Sequence, residues 1–383
     1  MQTNDSRDME PSISQMLNDA LTLRQQPEYR VHSLAEVEAS LNAFLQATEL
    51  EHPVISGLKR MGGGASKEQF VFNLKAVGKA PERCVLRMDP LESAVVTSRS
   101  REKMILDIMQ NVLPVPRAMW CDEDGSLLGR PALITNFVGG VTKPSVSTSN
   151  VSGFGTVFDE QTRKALSNPF MEHLVAMHNV DWTQHVNKCF QAPVEDKQQA
   201  ARWQLNWWTK VWRDDVCEGY PIMGLAERWM RENLPVVEKE DLVFVHSDFR
   251  TGNYLYDENT LEITSVLDWE LIHIGDFHED LAWAAIKSWS TVDEGGTLLA
   301  SGLLPVDVLC ERYSSATGRS INKDNLYFYQ VLGLYKCVAI CLATSMNAAR
   351  YSHNHQDSLL SWLGAAGHSF LLDLANLLKE LKA

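Results

Sequence analysis

Cysteine chemistry is sparse in this sequence, and so are long hydrophobic runs. The seven cysteines among 383 residues are odd in number and form no C-x-x-C pair, so we interpret them as reduced thiols in a cytoplasmic protein. The N-terminus lacks the basic end and apolar stretch of a signal peptide. No run of about 18 uncharged apolar residues occurs, and the best candidate, Val331 to Ala343, is interrupted by Lys336. Neither a membrane-spanning helix nor membrane association is expected.

Basic charge is the other shortage. Lys and Arg total 35 against 49 Asp and Glu, which gives a net charge of −14 with histidine neutral. A nucleic-acid-binding protein needs a basic face and a polybasic membrane anchor needs a basic cluster, so this balance argues against both. Apolar residues make up 45% and charged residues 22%, which is the composition of a folded protein rather than a disordered one.

The order of sequence patterns predicts two lobes, and the length suits one two-lobed enzyme. Residues 1–32 form a polar, partly helical extension. Residues 33–139 contain five short strand-like runs and one main helix, over 93–110. Residues 140–383 begin with a Ser/Thr/Gly-rich loop and are mostly helical, apart from a β-type stretch from Leu242 to Val266. The predicted fold class is α+β, with a small N-terminal antiparallel β-sheet lobe and a large, mostly helical C-terminal lobe.

Helix positions follow from periodicity and capping residues. Ser33 with Glu36 three residues later is a capping-box pattern, and it predicts a helix over residues 33–46. In the larger lobe, apolar periodicity predicts a series of helices. They cover residues 160–180, 195–214, 222–233, 276–290, 304–316, 322–349 and 356–381.

The most informative pattern is His246-x-Asp248-x4-Asn253, after which a hairpin returns to Asp268. A carboxylate at Asp248, on a loop just after a buried strand, can orient a hydroxyl group and accept its proton. Asn253 and Asp268 supply hard oxygen donors of the kind that Mg²⁺ binds together with phosphate. Arg250 is placed to reach a transferring phosphoryl group. Because phosphoryl transfer needs positioning and charge neutralisation, the set predicts that chemistry; an Asx-type turn beside a strand is the plain structural alternative.

The order of these residues resembles the catalytic and metal-binding loops of protein-kinase-like enzymes. The runs HSDFRTGN, VLDWE and GDFHEDLAW resemble the aminoglycoside phosphotransferase and choline kinase branch, above all the phosphotransferase domains associated with acyl-CoA dehydrogenases. The resemblance implies a two-lobed protein-kinase-like fold that uses ATP and Mg²⁺. It implies that Asp248 is the catalytic base and that Asn253 and Asp268 bind the metal. It also implies that His246 braces the loop and that Asp280 holds it by accepting backbone N–H bonds.

The smaller lobe offers matching charges for a nucleotide. Arg87 ends the strand-like run CVLRM, where the family usually has lysine, and Glu102 on the following helix is the matching carboxylate. Arginine can bind phosphate in bidentate fashion, although its geometry differs from that of lysine. A surface cation at a strand end and an exposed helix charge are the structural alternatives.

Two backbone segments complete the expected nucleotide site. A glycine-rich turn between two strands lets backbone N–H groups approach phosphates closely, unless it is an ordinary hairpin turn. The segment that connects the lobes should bind the adenine edge through its backbone, unless it is only a core strand. The residues predicted from these two segments are Gly62, Gly63, Gly64, Ser66, Asn136 and Val138.

The predicted function is transfer of the γ-phosphate of ATP to a hydroxyl group of a small molecule. The resemblance implies a hydroxyacyl-CoA-like metabolite, with an aminoglycoside or amino alcohol as the less favoured acceptor. A nucleotide-binding pseudokinase without phosphotransfer is an alternative that Arg87 motivates. A metal-dependent hydrolase is a second alternative. Its ligands would be His246, Asp248, Asp268, His273 and His278.

Overall fold

The computed structural model describes residues 8–25, 29–62, 66–145 and 153–380. The N-terminal lobe is a five-stranded antiparallel sheet with the order β1-β2-β3-β5-β4. Its strands are β1 (Val54–Arg60), β2 (Glu68–Lys75), β3 (Glu82–Met88), β4 (Ala118–Asp122) and β5 (Ala132–Asn136). The helices α2 (Leu34–Gln46) and α3 (Arg99–Met109) accompany it, whereas α1 (Pro11–Leu23) of the N-terminal extension packs Ile13 and Leu17 into a core of the C-terminal lobe. The five predicted strands are therefore all present.

Helix α2 begins where the sequence predicts. Ser33 Oγ accepts a hydrogen bond from Glu36 N at 3.3 Å, and the Glu36 carboxylate accepts one from Ser33 N at 2.8 Å, which completes a capping box. Residues three and four apart share a helix face, and Val37, Leu41 and Leu45 lie on the buried one. This face packs into a core shared with the strands of the sheet.

Helix α3 is shorter than predicted, since it begins at Arg99 rather than six residues earlier. Ser98 caps it through its side-chain oxygen. The residues before Ser98 bind Lys67 instead, whose ammonium donates to Ser93 Oγ at 3.1 Å and to Thr97 Oγ1 at 2.7 Å. Periodicity placed the boundary too early because this contact joins residues that are far apart in the sequence.

The C-terminal lobe is mostly helical, as predicted. Its helices are α4 (Glu160–His178), α5 (Gln199–Asp215), α6 (Pro221–Glu232), α7 (His278–Ala284), α8 (Val306–Thr317), α9 (Lys323–Val338), α10 (Ser345–Arg350) and α11 (Asp357–Glu380). Two antiparallel strand pairs lie among them, β6 (Leu242–Val245) with β9 (His273–Asp276) and β7 (Tyr254–Tyr256) with β8 (Ile263–Val266). A small sheet follows, made of β10 (Thr291–Val292), β11 (Leu298–Ala300) and β12 (Leu304–Pro305).

The helix predicted over residues 276–290 is interrupted, since only His278–Ala284 is α-helical and Lys287–Trp289 forms a separate 3-10 turn. The chain first forms β9, in which His273 pairs with Val245 of β6, and α7 then has only seven residues. That helix ends because the carbonyl of Ala284 accepts hydrogen bonds from Ser301 N at 2.8 Å and from Ser301 Oγ at 3.2 Å. The start of α3 and the end of α7 both differ from the prediction because of contacts with distant residues, which local periodicity does not show.

One helical run, Lys323–Arg350, is long and apolar enough to cross a membrane by length and composition. It passes from α9 through a π-helical segment, Ala339–Thr344, into α10. In this fold 78% of its most apolar window is buried, and the run packs against α5, α7 and α11. Burial of that kind is the ordinary situation of a core helix.

The N-terminal extension is fixed to both lobes by a buried ion pair. Glu10 is 1% exposed, and its carboxylate lies 2.6 Å from the guanidinium of Arg101 on α3. Arg101 also donates to the carbonyls of Cys189 and Ile272 and lies over the ring of Phe190. The planar guanidinium can satisfy several partners at once, so one side chain joins the extension, α3 and the loops of the C-terminal lobe.

We expect Glu10→Ala to lower the free energy of unfolding by about 3 kcal/mol, because it leaves the buried Arg101 charge without its carboxylate. Chemical denaturation measures this change. Asp107→Ala is the matched control, since it breaks an exposed ion pair with Lys103 on the same α3 helix. The control should change stability by less than about 1 kcal/mol. Equal effects of the two substitutions would contradict the expectation.

Candidate active site

One buried carboxylate holds the loop that follows β6. Asp280 of α7 accepts a hydrogen bond from His246 N through Oδ2 and one from Ser247 N through Oδ1, both at 2.8 Å. Ser247 has a φ of +66°, a left-handed conformation that residues other than glycine seldom adopt. The two bonds stabilise this conformation and so determine the direction in which the chain leaves the strand.

Asp280 is supported in turn by an imidazole. His178, at the end of α4, contacts Asp280 Oδ2 through Nε2 at 3.1 Å and Tyr313 OH through Nδ1 at 2.8 Å. Burial alone would raise the pKa of Asp280, but the hydrogen bond and charge of His178, together with the backbone N–H bonds, leave that pKa below its usual range. The anionic carboxylate is therefore the stable form of this support.

His246 lies inside the loop and is fully buried. Its Nε2 contacts Leu267 O at 2.9 Å, and its Nδ1 accepts a hydrogen bond from Asp248 N at 3.3 Å. Burial lowers the pKa of His246, and a neutral ring with its proton on Nε2 satisfies both contacts. The imidazole thereby joins the loop to the residue that follows β8.

The side chain of Asp248 is oriented on one side and exposed on the other. Asp248 Oδ1 accepts two hydrogen bonds at 2.8 Å, one from Arg250 Nε and one from the indole N–H of Trp283. The main-chain carbonyl of Asp248 accepts a third bond, from Asn253 Nδ2 at 2.9 Å. The side chain is nevertheless 21% exposed, so the carboxylate is fixed in direction and still accessible.

Asn253 and Asp268 lie side by side at the open end of the β7–β8 hairpin, because Leu267 N donates to Asn253 O at 2.8 Å. The amide nitrogen of Asn253 is used by the Asp248 carbonyl, which leaves its side-chain oxygen to bind a cation. Asp268 has a φ of +60°, and its side chain is 44% exposed. The structure thus brings an amide oxygen and an exposed carboxylate, both hard donors, next to the loop of Asp248.

Arg87 of β3 reaches this group from the N-terminal lobe. Its guanidinium contacts Glu102 of α3 and, at 3.1 Å, Asp268 Oδ1. Glu102 is also contacted by Arg99 at 2.5 Å. Burial opposes the charge of Arg87, but Glu102 and Asp268 outweigh it and raise the pKa of the guanidinium. The predicted contact between Arg87 and Glu102 is therefore present, and Arg87 also contacts Asp268.

The glycine-rich turn is described only at its two ends, because Gly63 and Gly64 lie outside the described residues. At Gly62 a β-carbon would meet no other atom within 4 Å. Ser66, at the other end, donates through Oγ to Glu270 Oε1 at 3.0 Å. This bond connects the turn to the C-terminal lobe at Glu270, two residues after Asp268, the candidate metal ligand.

Asn136 and Val138 lie where β5 leaves the sheet. Asn136 Oδ1 accepts a hydrogen bond from Arg117 N at 2.6 Å, so this side chain is engaged with the chain that enters β4. Beyond the half-buried Val138, the carbonyl of Gly139 accepts a bond from Thr264 Oγ1 at 2.8 Å. The segment runs from the sheet to the β7–β8 hairpin, as a connector should, and its contact with adenine stays a prediction.

The histidines of the hydrolase alternative are engaged in other contacts. His273 lies 3.2 Å from Glu279 and 3.0 Å from Leu271 O, and His278 lies 2.6 Å from Asp276. Across residues 8–380, apart from the three undescribed gaps, no group of three or more His, Cys, Asp and Glu side chains could hold a metal ion. The ligand set that this alternative requires is therefore not assembled.

The sequence patterns did not identify two buried residues of this region, Trp283 and Lys336. Lys336 is 1% exposed, and its ammonium donates to the carbonyl of Ser247 and, at 2.7 Å, to its hydroxyl. A usable signal was present in the apolar helix from Val331 to Ala343, which contains one charge. A charge in a buried helix needs polar partners, and here those partners lie in the loop after β6.

Known proteins match both the sequence and the fold. A model of the phosphotransferase enzyme family (APH) matches residues 57–304. Human acyl-CoA dehydrogenase family member 11 is 23% identical over 349 residues, which cover 87% of this chain and 42% of that protein. The aminoglycoside 3'-phosphotransferase of Streptomyces fradiae is 35% identical over 95 residues, 25% of this chain and 32% of that protein. The chain thus spans less than half the length of these relatives.

Solved structures extend the likeness to the fold. A crystal structure from Ralstonia eutropha, described as an aminoglycoside phosphotransferase, covers 90% of this chain and 98% of its own, with a TM-score of 0.61 and 21% identity. A thermostable mutant of APH(4)-Ia, in a ternary complex with ADP and hygromycin B, covers 82% of this chain and 93% of its own, with a TM-score of 0.51 and 15% identity. These likenesses confirm the predicted two-lobed, protein-kinase-like α+β fold.

We predict that Asp280→Asn loosens the loop after β6, because an amide offers one acceptor oxygen where the carboxylate uses two. The amides of His246 and Ser247 should then exchange with solvent at least about tenfold faster in a hydrogen-exchange measurement. Asp257→Asn is the control, because Asp257 also accepts two backbone N–H bonds but does so through one oxygen in an exposed turn that asparagine suits. Unchanged exchange at His246 and Ser247 would contradict the support assigned to Asp280.

Proposed function

This chain belongs to the phosphotransferase enzyme family, and from that premise we propose that it transfers the γ-phosphate of ATP to a hydroxyl group of a small molecule in the presence of Mg²⁺. It is a small-molecule kinase by family membership. The observation that supports the proposal most directly is the meeting of Asp248, Asn253 and Asp268 around one hairpin, with Arg87 in contact from the other lobe.

Asp248 is the proposed catalytic base. Its carboxylate is fixed by Arg250 and Trp283 and remains accessible, so it can orient a hydroxyl group before reaction. The hydroxyl proton passes to Asp248, the acceptor oxygen bonds to the γ-phosphorus, and ADP leaves with the electrons of the broken bond. The Arg250 guanidinium places positive charge beside the carboxylate, where phosphoryl transfer needs charge stabilisation.

The oxygens of Asn253 and Asp268 fit Mg²⁺. This ion takes one or two protein oxygens and completes an octahedral shell with water and phosphate, so it does not require the larger ligand group that transition metals use. The amide oxygen of Asn253 and the exposed carboxylate of Asp268 would hold it. When bound, Mg²⁺ supplies neutralisation of the charge on the phosphate oxygens.

Arg87 is the proposed phosphate-binding cation. Glu102 fixes the guanidinium at one end, as the smaller lobe of a kinase requires, and the planar group can bind phosphate oxygens in pairs. The replacement of lysine by arginine therefore keeps both the charge and its carboxylate partner. This geometry favours an active kinase over the pseudokinase alternative.

The surroundings of Arg250 bear on the class of acceptor. Four aromatic side chains form a wall beside this residue, with Phe154 at its centre; Trp289 and Phe370 are its buried part, and Trp362 is 44% exposed. The Phe154 ring lies 6.2–6.4 Å from the rings of Trp289, Trp362 and Phe370. The Arg250 guanidinium lies 5.1 Å from the Trp289 ring and 5.8 Å from that of Phe154. Aromatic rings beside a cation suit an alcohol with an apolar body, such as a hydroxyacyl thioester, better than a polycationic aminoglycoside.

A screen of ATP consumption against hydroxylated metabolites, hydroxyacyl-CoAs and aminoglycosides tests the proposed function. With an active acceptor, Asp248→Ala should lower kcat by about 10²- to 10⁴-fold because the general base is lost. Nucleotide binding, measured by calorimetry, should change little. Asp257→Ala, in the exposed turn of the hairpin, is the matched control and should retain activity. Nucleotide binding without consumption of ATP across the whole screen would instead favour the pseudokinase.

The aromatic wall predicts a selective effect of Trp362→Ala. Trp362 is 44% exposed, so its loss should leave the fold intact while it removes apolar contact with the acceptor. We expect KM for the acceptor to rise about tenfold while KM for ATP stays unchanged in steady-state kinetics. Tyr351→Ala removes another exposed aromatic ring, outside the wall, and serves as the control. Preferred use of an aminoglycoside by the wild type would contradict the assigned acceptor class.

A further inference from the structure

We propose that Trp283 is a positioning residue that makes Asp248 Oδ2 the oxygen to which the acceptor proton passes. The inference rests on the proposed function, since it assigns a role within the same reaction. Its basis is the hydrogen bond from the indole N–H of Trp283 to Asp248 Oδ1 at 2.8 Å. Trp283 itself acts through the carboxylate and is not proposed to touch the acceptor.

The two oxygens of Asp248 differ in their partners. Oδ1 receives both the Trp283 N–H and Arg250 Nε, each at 2.8 Å. In the part of the chain that the structure describes, no residue donates a hydrogen bond to Oδ2. Hydrogen bonds to a charged oxygen stabilise its negative charge and make that oxygen less ready to take a proton. The proton of an incoming hydroxyl is therefore directed to Oδ2.

The indole ring is held so that its N–H cannot turn away. Trp283 is buried, and its ring lies 4.6 Å from the ring of Trp289, whose Nε1 donates to the main-chain carbonyl of Trp283 at 2.5 Å. On the other side lies Gly333 of α9, where a β-carbon would come within 3.4 Å of the Trp283 ring. Glycine at this position lets the long core helix approach the ring closely. The donor is thus set by packing as well as by its acceptor.

Lys336 gives the indole a second function beyond packing. Its ammonium lies 3.8 Å from the centroid of the Trp283 ring and donates to the hydroxyl of Ser247 at 2.7 Å. Ser247 in turn donates to Glu279 Oε1 at 2.6 Å, so the buried cation has a nearby anion. A cation over an aromatic face is attracted to the ring, and by drawing electron density from the indole it strengthens the N–H as a donor.

A structural explanation of Trp283 would need only a large apolar side chain. Phenylalanine would fill much of the same space, so Trp283→Phe removes the N–H donor while it keeps an aromatic ring beneath Lys336. The matched control is Trp203→Phe. The Trp203 indole also donates to a carboxylate, that of Asp8 at 3.1 Å, but it does so on α5 beside the N-terminal extension. Both substitutions lose one indole–carboxylate bond, and one of the two bonds involves the base.

The test is steady-state kinetics with an acceptor from the ATP-consumption screen. Trp283→Phe should lower kcat by about 10- to 100-fold, as expected for a lost hydrogen bond to a charged group, with KM for ATP within about twofold of the wild type. Trp203→Phe should retain the wild-type kcat. In an Asp248→Ala background, Trp283→Phe should have no further effect on the residual rate, because its role acts through that carboxylate. A wild-type kcat for Trp283→Phe, or an equal loss in both backgrounds, overturns the inference.

Two further measurements test the inference if Trp283→Phe does not fold or if no acceptor is found. If Trp283→Phe does not fold, Lys336→Met removes the cation from the ring instead; loss of kcat without loss of nucleotide binding supports the inference, and a wild-type kcat overturns it. If the wild type transfers phosphate to no acceptor, the proposed function fails. The test is then the melting temperature, measured for the wild type, Trp283→Phe, Asp248→Ala and the double variant. Non-additive effects support the contact, and additive effects overturn it.

Discussion

A carboxylate that is buried in a protein must be satisfied by hydrogen bonds, and the arrangement of this site depends on how Asp280 is satisfied. Two successive backbone N–H groups and an imidazole provide its partners. Successive amides can point at one carboxylate only if the chain bends, and Ser247 takes a left-handed conformation to do so. The bend places Asp248 at the surface of the C-terminal lobe instead of in the line of β6. The direction of Asp248, the proposed base, is thus a consequence of burying Asp280.

Charged and polar contacts join the two lobes beside an apolar core in which Ile105, Leu106 and Leu133 of the N-terminal lobe lie in one cluster with residues of the C-terminal lobe. Arg87 contacts Asp268, and Ser66 donates to Glu270, so the chain after the hairpin of the C-terminal lobe holds the edge of the sheet where the nucleotide is proposed to bind. Asp268 has one oxygen near the guanidinium, and a carboxylate can bind a cation through its other oxygen. A nucleotide that brings a metal ion and phosphates would therefore enter a site in which the positive and negative groups are already in contact. Contacts of this kind can be exchanged for ligand contacts without disturbing a packed core.

Much of the fold and of the candidate site could be predicted, because those parts depend on local patterns or on a motif of fixed spacing. The capping box at Ser33, the five strands and the loop from His246 to Asn253 belong to this group. The late start of α3 and the early end of the helix predicted over residues 276–290 could not be predicted, since each follows from contact with a distant residue. The role of the Trp283 indole was hidden for the same reason. It depends on which groove of the C-terminal lobe the ring enters, and a tryptophan in an apolar segment has the same sequence pattern wherever it packs.

The net charge of −14 does not describe the arrangement of charges at the candidate site. Net charge describes the surface as a whole, whereas the cations that matter here are buried at or beside the candidate residues. Lys67, Arg87, Arg99 and Lys336 all have side chains that are at most 14% exposed. A buried cation interacts with its neighbours in a medium of lower dielectric constant than water, so each acts more strongly than a surface carboxylate. Lys67, Arg87 and Arg99 each contact a carboxylate, so the site pairs opposite charges, and the net charge of the chain by itself does not favour a cationic acceptor.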